Sequence, residues 1–185
     1  NAPNTLTGLA GNDTVDGSGD IDTISYLSSP NGVTVNLDET NSYQSENSIS
    51  ISPEPNFTIA SGTAIDGFEG TDTLKNLENI VASQQNDILI GNSFDNKIEA
   101  LAGNDFLIGN AGSDTLDGGD GNDTVSYRRE TDKVIVNLET KIATESSGDT
   151  DTLTSIENVV GSAGDDEIIG DENSNIIFGE EGKDS

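Results

Sequence analysis

Between Asp87 and Tyr127 an acidic or amide residue, followed two places later by an aliphatic, recurs every nine residues, and this period governs what the chain can fold into. Asp87, Asn96, Asp105, Asp114 and Asp123 keep the step without a slip, each trailed by Leu89, Ile98, Leu107, Leu116 or Val125. Glycines share the frame. Gly91, Gly109 and Gly118 stand five residues before an acidic or amide position, and Gly103, Gly112 and Gly121 stand two before one. Three residues around one inward aliphatic make a minimal strand. Six glycine-rich residues make a turn, because glycine tolerates the positive φ of tight turns.

Two such units close one coil, so residues eighteen apart stack at the strand spacing of about 4.8 Å. Oxygen ligands lie about 2.3 to 2.6 Å from calcium, so carboxylates one coil apart are spaced to share an ion. Without an ion the same pair repels by roughly 3 to 4 kcal/mol at an effective dielectric near 20.

The best copies, Gly109-Asn-Ala-Gly-Ser-Asp-Thr-Leu-Asp117 and Gly118-Gly-Asp-Gly-Asn-Asp-Thr-Val-Ser126, resemble the glycine- and aspartate-rich nonapeptide of RTX (hemolysin-type) calcium-binding repeat proteins. The resemblance implies an all-β fold: a parallel β-roll, that is, a right-handed parallel β-helix of nonapeptides with several calcium ions in its turns. It implies acidic side chains at the sixth position as ligands, here Asp13, Asp22, Asp87, Asn96, Asp105, Asp114, Asp123, Asp166 and Asp184. It also implies turn carbonyls at the first and third positions, here Gly8, Ala10, Gly17, Gly19, Gly91, Ala100, Ala102, Gly109, Ala111, Gly118 and Asp120. Gln85 and Phe94 depart from the turn glycine, and Asn96 and Asn175 from the aspartate. The family further implies a secreted, extracellular or cell-surface bacterial protein, passed through type I secretion machinery and folding outside on calcium.

Composition agrees with a chain that needs cations. Seven Lys plus Arg face 35 Asp plus Glu, the formal net charge is −28, and only 31% of residues are hydrophobic. Such a chain collapses poorly unaided and repels nucleic acid and anionic membrane. Cys and His are absent, which leaves hard oxygen donors and argues against zinc, copper or iron. No disulfide is available as a staple. No apolar run approaches the roughly 20 residues that span a bilayer.

A second, longer repeat overlays the first. Asp22-Thr-Ile-Ser-Tyr26 matches Asp123-Thr-Val-Ser-Tyr127, and Val33-Thr-Val-Asn-Leu37 matches Val134-Ile-Val-Asn-Leu138. Asp72-Thr-Leu74 then matches Asp151-Thr-Leu153, and Leu77-Glu-Asn-Ile-Val81 matches Ile156-Glu-Asn-Val-Val160. The chain therefore reads as a duplicated module. Residues 1–26 form a first nonapeptide array and 27–81 a strand, inserted loop and connector. Residues 82–127 form the central array, 128–160 a second strand and connector, and 161–185 a third array, cut short. Ending one residue past Asp184, where the frame calls for another strand, the chain reads as part of a longer protein. Glu78 and Glu157 fall on the nine-residue step, as either end members of the acidic column or solvated residues.

Other signals read as structural. The polar stretch from Asp38 to Thr71 reads as a solvated loop, the alternative being a small hairpin on Ile49, Ile51, Phe57 and Ile59. Arg128, Arg129, Lys133 and Lys141 read as neutralising the acidic ladder in preference to docking a partner. Tyr26 and Tyr127 read as caps where the nonapeptides stop. Asp16-x-Ser18-x-Asp20 opens like an EF-hand, but Ile21 replaces its glycine and Leu27 its closing glutamate. No catalytic residues are expected, since the carboxylates repeat at structural spacing with no nucleophile context. The leading expectation is a calcium-triggered folding and secretion module. The alternative is an adhesive module contacting an extracellular glycan or surface protein.

Overall fold

The computed structural model describes residues 2–44 and 55–185, so Ile49 and Ile51 of the alternative hairpin lie outside the described residues. The described residues are all-β, with no helix, and short strands alternate between two nine-stranded sheets. Where nonapeptides follow one another, strands pair in parallel at a step of eighteen: Thr5↔Thr23, Ile80↔Ile98, Ile88↔Phe106, Lys97↔Thr115, Phe106↔Thr124 and Asn158↔Ile176. Turn residues stack in the same register, Ala102↔Asp120 and Gly103↔Gly121. A Cβ on Gly121 would stand 1.6 Å from the Gly103 carbonyl oxygen, so only glycine allows this approach.

The sheets as wholes are mixed, which differs from the purely parallel expectation. The connectors are antiparallel ribbons of three strands. Thr34–Asn36, Thr63–Ile65 and Thr71–Lys75 form one, and Ile135–Asn137, Ile142–Thr144 and Thr150–Thr154 the other. The first ribbon belongs to one sheet and the second to the other, because an odd number of steps between sheets separates the two modules.

Between the sheets the inward aliphatics form one core. Ile24, Val35, Ile80, Leu89, Ile98, Leu107, Leu116, Val125 and Val159 are fully buried there. The period-two pleat also turns Asp72 and Leu74 of Thr71–Lys75 inward together.

The described residues of the stretch expected as a solvated loop include three strands, Tyr43–Gln44, Thr58–Ile59 and Thr63–Ile65. Tyr43–Gln44 pairs antiparallel with Thr58–Ile59, and Tyr43 and Ile59 bury with Ile90, Phe106 and Ile108 in a second small core. Tyr43 stacks on Phe57 at 5.0 Å, and Phe57 meets Phe106 edge-on at 6.2 Å. Few but well-placed apolar residues thus overrode a polar average. The Arg129 guanidinium lies over Tyr43 at 5.4 Å. Arg128 pairs with Glu180 at 3.1 Å and Lys133 with Glu167 at 3.4 Å.

Candidate calcium ladder

The eighteen-residue step puts five of the sixth-position acids beneath the backbone of the residue eighteen before. Oδ1 of Asp105 accepts the Asp87 N–H at 2.7 Å, Oδ1 of Asp123 the Asp105 N–H at 2.8 Å, and Oδ1 of Asp114 the Asn96 N–H at 2.8 Å. Asp22 accepts from Asn4 at 2.8 Å and Asp184 from Asp166 at 3.1 Å. Each bond fixes one carboxylate oxygen and orients the other towards the turn.

Where a ribbon interrupts the nonapeptides, an acid on the ribbon's own third strand takes the vacated rung. Asp72 accepts the Asp13 N–H at 3.0 Å, and Asp151 accepts the Asp114 N–H at 2.9 Å. Counting eighteen residues on from Asp114 selects Asp132, which is corrected by this bond: the residue above Asp114 is Asp151. Glu78 and Glu157 prove to be ladder members, accepting the Asp22 and Asp123 N–H groups at 2.8 Å each. The sequence signal for Asp72 and Asp151 was their shared Asp-Thr-Leu frame, which nine-residue counting from the arrays passes over.

The second oxygens divide the ladder. Oδ2 of Asp13, Asp22, Asp105, Asp114 and Asp123 is buried with no hydrogen-bond partner. By contrast, Asp87 Oδ2 accepts the Ser83 N–H at 2.9 Å while Oδ1 takes its hydroxyl at 2.7 Å, and Ser162 holds Asp166 the same way at 2.6 Å each. Asp72 and Asp151 spend their second oxygens on Tyr26 and Tyr127, whose hydroxyls donate at 3.0 and 2.8 Å. The tyrosines therefore end the free-oxygen run at each ribbon. At Asn96 and Asn175 the amide nitrogen donates to the carbonyls of Glu78 and Glu157, at 2.7 and 2.9 Å.

The first-position glycines keep space beside these oxygens. A Cβ on Gly109 would lie 2.1 Å from Asp114 Oδ2, and one on Gly118 2.5 Å from Asp123 Oδ2 and 2.2 Å from the Ser155 carbonyl oxygen. On Gly17 it would lie 2.8 Å from Asp22 Oδ2, on Gly8 3.3 Å from Asp13 Oδ2, and on Gly91 2.2 Å from the Asn96 amide oxygen and 2.5 Å from the Gly109 carbonyl. Carboxylate and carbonyl oxygens thus converge on the same small volumes. Ala100 holds the first position before Asp105 with its methyl fully buried.

Burial raises Asp105, Asp114 and Asp123 well above the carboxylate range. Asp105 is pushed up to about 7, first by burial and then by the charges of Asp87 and Asp123. Asp114 is pushed to about 8 by burial, with Asp151 adding to it, and Asp123 to about 6, with Glu157 adding. Orphaned carboxylate oxygens of this kind need a cation or a proton. Among the described residues no three acidic side chains stand close enough to hold an ion alone, so backbone carbonyls must complete any site. This all-oxygen donor set, one carboxylate and carbonyls, fits calcium.

Such a coil, with stacked buried acids and glycine-kept space beside them, defines an all-β repeat protein built to take oxygen-seeking cations. Residues 2–24, 90–125 and 148–185 match the RTX calcium-binding nonapeptide repeat in four copies, and the chain belongs to that family. Among curated proteins none matches it. No helix among the described residues is long and apolar enough to cross a membrane.

Proposed function

We propose that this chain is a calcium-loaded β-roll that, at neutral pH, folds when its ladder is charged with calcium, serving as a structural and secretion-folding element of a larger extracellular bacterial protein. The observation that supports it most is the set of buried, unpartnered Oδ2 atoms on Asp13, Asp22, Asp105, Asp114 and Asp123. Those residues, with turn carbonyls beside Gly8, Gly17, Gly109 and Gly118, would hold the ions. Calcium, when bound, supplies the positive charge that lets stacked carboxylates stay ionised in the interior. The backbone N–H groups of the preceding coil orient each carboxylate, and the glycines leave the approach open. A formal charge of −28 keeps the chain extended where calcium is scarce, which suits passage through type I secretion machinery.

The proposed role is non-catalytic. The adhesive alternative has less support, because Arg128 is engaged with Glu180 and Arg129 with Tyr43 and Asn110. Far-UV circular dichroism across a calcium titration from chelator tests the proposal. We expect a cooperative gain of β-structure with calcium and little with magnesium, which demands tighter octahedral geometry. A spectrum indifferent to calcium would overturn it.

A further inference from the structure

Asp66 and Glu145 stand off the ladder at equivalent places of the two modules. Asp66 lies in the turn between Thr63–Ile65 and Thr71–Lys75, and Glu145 in that between Ile142–Thr144 and Thr150–Thr154. The turns share a closing hydrogen bond. The Asp66 N–H donates to the Gly70 carbonyl at 3.2 Å and the Glu145 N–H to the Asp149 carbonyl at 3.1 Å. Both turns pass through positive φ, 73° at Glu69 and 97° at Gly148.

Each acid is buried, Asp66 with 0% and Glu145 with 5% of its surface exposed. Oδ1 of Asp66 accepts the N–H groups of Phe68 and Gly70 at 2.8 Å each, while its Oδ2 has no partner. Oε1 of Glu145 likewise has none. The charges bearing most strongly on Glu145 are those of Glu130, Asp151, Asp114 and Asp149, all negative. A Cβ on Gly70 would stand 2.5 Å from Asp66 Oδ2 and 2.0 Å from the Gly11 carbonyl oxygen. Those two oxygens are therefore closer together than twice the calcium–oxygen distance of about 2.3 to 2.6 Å. Gly112, the counterpart of Gly11 in the second module, repeats its backbone, with φ of 117° against 122°.

We propose that each module carries one further divalent-cation site outside the nonapeptide ladder, at the ribbon turn: Asp66 with the Gly11 carbonyl in the first module, Glu145 with the Gly112 carbonyl in the second. The inference rests on the calcium-binding reading above. An ion there ties the ribbon to the last nonapeptide turn before it, so that ribbon and array order together. The competing arrangement is a pair of carboxyls that keep their protons and bind nothing.

Calcium per chain, counted by equilibrium dialysis and isothermal titration on the whole chain, separates the two. Asp66→Asn and Glu145→Gln should each remove one ion, and the double variant two, with remaining affinities within about twofold of wild type. An unchanged count in the double variant overturns the proposal while leaving the ladder standing. Wild type that binds no calcium sinks both. Circular dichroism guards against simple misfolding. If the sites are real, the double variant is more structured than wild type in chelator and less stable in calcium; loss under both conditions marks a purely structural role and refutes the sites.

Discussion

Asp151 accepts the backbone N–H of Asp114 across a separation of 37 residues, at 2.9 Å, in the place that an eighteen-residue neighbour takes elsewhere. The third strand of the ribbon, Thr150–Thr154, pairs in parallel with Thr115–Asp117, so the ladder continues on the ribbon's own acid. Tyr127 then occupies the other Asp151 oxygen. Tyr127→Phe should leave that oxygen buried and unsatisfied and lower stability in saturating calcium by about 1.5 to 3 kcal/mol. Urea denaturation monitored by circular dichroism reads the loss. Tyr26→Phe should behave alike through Asp72.

Asp105 has a free buried oxygen, whereas both oxygens of Asp87 are engaged by protein donors. Asp105→Ala should therefore weaken calcium binding more than Asp87→Ala, because only Asp105 keeps a buried oxygen that no protein donor engages. Isothermal titration decides. Equal losses would mean that Ser83 releases Asp87 to an ion.

Gly109→Ala removes no carboxylate, but its methyl would fall 2.1 Å from Asp114 Oδ2, so the Asp114 carboxylate must swing out of its place. Calcium affinity should fall. A terbium or calcium titration beside wild type checks it; undiminished affinity would show that the ion does not use the space beside Gly109.

The pH dependence of the ion-free chain follows from the raised carboxyls. Asp105, Asp114, Asp123 and Asp151 move from 3.8 to about 7, 8, 6 and 6, chiefly by burial. A folded-state pKa above the unfolded one contributes stability that is full below the unfolded value and is lost as pH rises through the folded value. In chelator the chain should therefore gain β-structure on acidification from about pH 8 towards pH 4, the reverse of ordinary acid denaturation. Calcium should flatten this dependence. Circular dichroism against pH, with and without calcium, would show it.

Leu107 is fully buried between the sheets and pairs with Leu89 and Val125 above and below. Leu107→Ala should cost about 2 to 5 kcal/mol in calcium. Leu107→Asp should cost more by burying an unpaired charge. Calcium-dependent melting of both variants measures the difference.

The arrays were legible because the same nine-residue step sets strand, turn and acid together, and Asp87, Asp105 and Asp123 stack as their spacing requires. The ribbons were not, since their strands come from Thr-rich polar sequence whose fold depends on where the neighbouring coil ends. Asp72 and Asp151 consequently looked like markers of duplication and not rungs. Counting nine residues also treats Asp87 and Asp105 as equals. What divides them is a local donor, Ser83, four residues away. The hairpin of Tyr43 and Ile59 was hidden by low average hydropathy, although the aromatic partners Phe57 and Phe106 were present in the chain.

The assignment of the two ribbons to opposite sheets has a consequence for the outer surface. Equivalent sequence in the two modules is displayed on opposite sides of the stack, because an odd count of sheet-to-sheet steps reverses its phase. Any surface that a module shows outwards is thus shown back to back with its counterpart. Adding or deleting a single nonapeptide between the modules would restore the parity and bring both surfaces to the same side.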